Sequence, residues 1–289
     1  MINIDPLLLK KSIIKSARVN NFKALKENFS KINSLSNFHK LSIPFIFEKL
    51  FINYRKKNRS FVYYLIETVI FVQKFLFFTT NSLNPFRKKN LNLEEKIFFF
   101  SNKLVDQYNI FPISNYLLNK RIRHSNLITI ENKNVFTLLK YGFTPDKQGQ
   151  LKKLQKKYKN NLISINNIID FKDIIYGIIN YKKKKKEINK LFKILKLDNY
   201  EKRSIKNFYV FFFIYLEFYK RVLKEKDIRY IFSHYYNSPE LCSLVYFLKS
   251  RKSKYVPKIF AYEFIGLGGE SATYLYTNVD VLFVPNKLD

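Results

Sequence analysis

The sequence predicts an α/β fold, with an open, mostly parallel sheet over residues 125–289 preceded by a mainly helical region over residues 1–124. Three observations lead there. Apolar residues recur at helical spacing through the first region. In the second, short and nearly continuous apolar runs alternate with helical patterns, as parallel strands covered on both faces do. Three of only six glycines, Gly266, Gly268 and Gly269, also fall within four residues of one another.

In the first region the helical spacing runs through Leu7–Ile14, Ile43–Ile52, Phe61–Phe78 and Ile97–Tyr108, with Pro85 and Pro112 as breaks. The stretch Phe61–Thr80 reads FVYYLIETVIFVQKFLFFTT and is long enough to cross a bilayer. Glu67, Gln73 and Lys74 interrupt it, and a charge at mid-span is expensive. The stretch is therefore expected to be a buried helix or one lying at a membrane interface.

From residue 125 the period changes. Asn134–Leu139 reads as a strand, followed by a turn carrying Gly142, a polar helix over Lys147–Lys159 and a strand at Leu162–Ile165. Gly142 follows a strand, where a glycine lets backbone approach an anionic group. Ile168–Lys193 and the aromatic-rich Glu201–Lys226 read as packing helices. Asp227–Ser233 reads as a strand. Ser238, Pro239 and Glu240 then open a helix as N-cap, first residue and first-turn acid. Cys242, the single cysteine, falls inside that helix and reads as a buried structural thiol. Lys258–Tyr262 and Asp280–Val284 read as further strands.

Ligands of open parallel sheets sit outside the carboxyl ends of the strands. Three loops follow such ends: His234 with Tyr235, Tyr236 and Asn237; Glu263–Ser271; and Pro285 with Asn286. They are expected to converge on one rim. There His234 has the pKa range of a general base. Glu263 and Glu270 flank the glycine turn and suit a base or a partner of sugar hydroxyls. Tyr235 and Asn237 offer a flat apolar face, a hydroxyl and an amide. The backbone of Gly266, Gly268 and Gly269, with Ser271 and Asn286 nearby, is expected to approach substrate. The spacing matches neither a dinucleotide fingerprint nor a phosphate-binding loop.

The formal net charge is +31, from 53 basic and 22 acidic residues. Only ten of the basic residues are arginine, which disfavours nucleic acid, because arginine makes the bidentate phosphate and base contacts. Lysine point charges suit an anionic lipid surface, and Lys182–Lys186 form one dense run. The single cysteine excludes a disulfide framework and fits a reducing compartment. The amino terminus lacks the pattern of a secretory signal.

The order of these elements resembles the N-terminal half of bacterial glycosyltransferases of the two-Rossmann-domain (GT-B) type that make surface polysaccharides. The residues that carry it are NVFTLLKYGFTPD (Asn134–Asp146), YIFSHYYNSPEL (Tyr230–Leu241), KIFAYEFIGLGGES (Lys258–Ser271) and NVDVLFVPN (Asn278–Asn286). Sugar-nucleotide 2-epimerases of the same architecture are similar too. The resemblance implies a Rossmann-like domain, a nucleotide-sugar donor, a cell-surface glycan acceptor bound by the strand-end loops, and His234 as base for the acceptor hydroxyl. It implies no cofactor beyond the donor and no metal. It implies a cytoplasmic protein, peripheral on the inner face of the membrane. The family continues into a second domain that holds most nucleotide-sugar contacts, so the chain is expected to be a fragment or to need a partner. A non-catalytic basic scaffold on anionic membrane or nucleic acid, and an epimerase fragment, are the alternative readings.

Overall fold

The computed structural model describes residue 46 and residues 60–83, 97–101, 135–139, 162–164, 168–224, 230–233, 238–251, 258–262 and 280–283. Four helices dominate: α1 (Ser60–Ser82), α2 (Phe171–Ile194), α3 (Asn199–Val222) and α4 (Pro239–Ser250). Helix α3 is the centre, and α1, α2 and α4 all pack against it. Its run NFYVFFFIYLEFY is apolar all round, so fifteen of its 24 residues are buried. Tyr209, Phe212, Tyr215, Phe218 and Tyr219 are among the largest fully buried side chains.

Local chemistry sets the helix ends. Asp170 opens α2 with a capping box, in which Asp173 Oδ2 accepts the Asp170 amide at 2.7 Å. Asp198 and Glu201 repeat the device at the start of α3, at 2.8 and 2.9 Å. Between the two helices Lys196 adopts a positive φ of 45°. The Leu197 amide donates back to Phe192 O at 3.1 Å and the Lys196 amide to Lys193 O at 3.2 Å. These two bonds close α2 and reverse the chain within a few residues. Arg221, near the end of α3, returns to the start of α2: its Nη2 donates to Asp173 Oδ2 at 2.6 Å and to Ile168 O at 2.9 Å. Ser238 caps α4 and Pro239 stands at its first turn, as the sequence predicts.

Gly177 of α2 lies close against α3. A Cβ there would come within 2.6 Å of Ile214 Cα and 2.7 Å of Ile214 N on α3. The obstacle is backbone, which a rotamer change cannot move aside.

Six short segments pair in parallel: β1 (Ile97–Ser101), β2 (Val135–Leu139), β3 (Leu162–Ser164), β4 (Tyr230–Ser233), β5 (Lys258–Tyr262) and β6 (Val281–Phe283), in the order β3-β2-β1-β4-β5-β6. Asp280 fixes the approach to β6. Its Oδ2 accepts the Ile259 amide and its own amide donates to Ile259 O, both at 2.8 Å.

The expected fold class, an open Rossmann-like sheet like the N-terminal half of a GT-B enzyme, is nevertheless corrected. Of the residues whose side-chain surroundings are described, 84% are helical, so the described body is mostly helical. The physical reason lies in the aromatic run of α3, which is buried over fifteen residues and against which α1, α2 and α4 pack, with Ile231 and Ile259 of the strands joining the same core. Apolar runs of strand length weighed too heavily in the sequence reading, beside an aromatic helix that organises the packing by itself. A second correction concerns Ile97–Tyr108, expected as helix. Ile97–Ser101 is extended and pairs with both β2 and β4.

Candidate functional site

Eleven residues were expected to build the site: Gly142, His234, Tyr235, Asn237, Glu263, Gly266, Gly268, Gly269, Glu270, Ser271 and Asn286. All lie outside the described residues. Two of the strand ends that precede them are level. Ser233 pairs opposite Ala261, and Tyr262 opposite Phe283. Among the described residues no group of three or more His, Cys, Asp and Glu could hold a metal ion. Cys242 is fully buried in α4.

The unusual chemistry is in α1, whose exposed face is mostly apolar, as is the face it packs inward. Its exposed residues are apolar apart from Gln73 and Thr80: Phe61 is 72% exposed, Val69 54% and Leu76 56%, and Val62, Leu65, Ile66, Ile70 and Val72 are also exposed. Lys74 and Ser82 are buried on the other side, Glu67, Thr68 and Thr79 are half-buried, and Thr80 is exposed. A helix on a water-facing surface carries polar and charged residues on its exposed face.

The inward face follows α3 along its length. Tyr63 meets Tyr200 with ring centroids 5.8 Å apart, Phe71 meets Phe211 at 5.4 Å, and Phe78 meets Tyr215 edge-on at 5.7 Å. Asn207 Nδ2 donates to the Glu67 carbonyl at 3.1 Å. The guanidinium of Arg203 lies 5.2 Å from the Phe71 ring centre.

At the centre of this contact Lys74 Nζ donates to Glu240 Oε1 at 2.8 Å. The ammonium also lies 4.3 Å from the centre of the Phe211 ring, 5.0 Å from Tyr215 and 5.6 Å from Phe78. Glu240 is fully buried at the first turn of α4, where the helix dipole favours its charge. The pair thus joins α1 to α4 across α3. Sequence reasoning used Lys74 only as an interruption and Glu240 only as a first-turn acid. One signal was available: a lysine inside an apolar helix needs a carboxylate partner in the fold.

Two tyrosines complete the cluster. Burial holds the Tyr215 hydroxyl well above its ordinary pKa of 10.0, and the nearby Glu240 charge and a hydrogen bond to that carboxylate push it further. Burial, then the Glu240 charge, does the same at Tyr219, whose hydroxyl has no hydrogen-bond partner among the described residues. Tyr219→Phe is therefore expected to raise stability by about 1 kcal/mol, and Tyr215→Phe to lower it by about as much. Both tyrosines stay protonated in the folded chain above the pH at which they ionise when unfolded. Their contribution is complete below pH 10 and is lost as pH rises beyond it, at about 1.4 kcal/mol per pH unit for each tyrosine. Urea unfolding at neutral and alkaline pH reads both effects, and Tyr219→Phe should shallow the alkaline loss.

No family model, curated protein or solved structure matches this chain.

Proposed function

We propose that this protein is a basic, peripheral membrane protein that meets an anionic lipid surface through the outward face of α1. The carrying observation is the apolar exposed face of α1, with its lysine paired inside. Apolar residues and inward-facing, paired charge are what a helix in contact with lipid requires. Charge supports the same partner. The chain carries +31 overall, and α2 exposes Lys172, Lys182, Lys183, Lys185, Lys186 and Lys190. Each basic residue near an anionic leaflet contributes about 1 kcal/mol of attraction.

The helix is long and apolar enough to span a bilayer. Its packing argues for lying in the plane of the surface instead. Helix α3 covers its inward face from Tyr63 to Phe78, and α2 packs against both. A spanning α1 would carry Arg203, Lys206 and the α2 lysines into hydrocarbon, at about 3 kcal/mol for each charge at the centre.

The expected result is binding to phosphatidylcholine vesicles only when they contain phosphatidylserine, weakening as salt rises. Equal binding to neutral vesicles, or none to either, contradicts the proposal. Sugar transfer to a surface glycan, with His234 as base, is carried by residues outside the described set. No described side chain favours it over the lipid reading.

A further inference from the structure

Both faces of α1 are apolar over most of their area. Tyr63, Phe71, Phe75 and Phe78 face the body, while valines, leucines and isoleucines face out. Burial of apolar surface alone therefore distinguishes poorly between rotational settings of the helix about its axis. Lys74 does distinguish them. Turning it outward would place an ammonium against lipid and strip Glu240, fully buried, of its ammonium partner 2.8 Å away. Only the observed setting keeps the ammonium both on its carboxylate and over the faces of Phe211 and Tyr215.

We infer that Lys74 and Glu240 are positioning residues that fix the rotation of α1, and so select which of its side chains enter the lipid. This rests on the lipid-surface reading above. The side chains selected are those around Val62, Ile66, Val69 and Leu76. The ion pair thus determines the face of contact without touching the membrane.

The chain contains no tryptophan, so one introduced indole reports its own surroundings. The test uses the full chain with Val69→Trp, on the outward face, or Phe75→Trp, on the half-buried inward face. Each is bound to phosphatidylserine-containing vesicles whose acyl chains are brominated. Val69→Trp is expected to lose most of its fluorescence, and Phe75→Trp to keep most of it. Adding Lys74→Met with Glu240→Leu should abolish that difference while binding persists. The swap Lys74→Glu with Glu240→Lys should restore it. If circular dichroism shows the apolar pair to be unfolded, Lys74→Gln with Glu240→Gln is read for the same loss of difference. An undiminished difference in the folded charge-free variant overturns the inference and leaves lipid binding standing. Failure of the unaltered chain to bind the vesicles overturns the lipid reading, and this inference with it.

Discussion

Glu240→Ala is expected to destabilise the helical body by about 3–5 kcal/mol, because it leaves the Lys74 ammonium buried without its carboxylate. Lys74→Met alone should cost a similar amount, since it removes the ammonium from the buried carboxylate instead. Replacing both, with Lys74→Met and Glu240→Leu, should cost far less than either, because no uncompensated charge remains in the core. The non-additivity identifies the effect. Two contacts acting independently would give losses that add, whereas a committed pair gives a double variant more stable than each single one. Urea unfolding followed by far-ultraviolet circular dichroism measures all three. A Glu240→Ala loss below about 1 kcal/mol would show that the carboxylate is not held on Lys74 in a dry environment.

Gly177→Ala is expected to lower stability by about 2–3 kcal/mol, through overpacking of α2 against α3. Two effects of opposite sign compete there. Alanine is the better helix former by about 1 kcal/mol, which alone would stabilise α2. Against it, the added carbon would lie 2.6 Å from Ile214 Cα, and relief requires one helix to move away from the other. The helices meet through Ile174, Ile188, Leu191 and the aromatic face of α3, so such a movement loosens much of the core. An alanine variant as stable as the unaltered chain, or more so, would place the helices farther apart at this point.

The helices were legible in the sequence where one chemical signal was unopposed. Ser238 followed by Pro239 is a capping pattern that needs no tertiary information and is recognised in the sequence. Asp198 followed three residues later by Glu201 is another, which a helix started at Glu201 passes over. The apolar runs of Phe61–Phe78 and of the segment containing Phe208–Tyr219 were long enough for helical spacing to decide. Ile97–Ser101 was not, because IFFFS fits a short strand and one turn of buried helix equally well. The sheet-based fold class failed for a related reason. Short apolar runs identify neither the layer that dominates nor the element at the centre, and here α3 holds that place. The rotational setting of α1 was hidden for a different reason. Its charge could be recognised as needing a partner, but Glu240 is 166 residues away, and no local pattern links the two.

The outward face of α1 is the centre of this account, and vesicle partition of face-directed variants measures it most directly. Val69→Asp with Leu76→Asp alters two exposed side chains and leaves Lys74, Glu240 and the aromatic contacts with α3 in place. Losing two inserted apolar side chains predicts at least about tenfold weaker partition onto phosphatidylserine-containing vesicles at one fixed salt concentration, with folding unchanged. Partition equal to that of the unaltered chain would contradict the account, since the lysines alone would then hold the protein on the membrane.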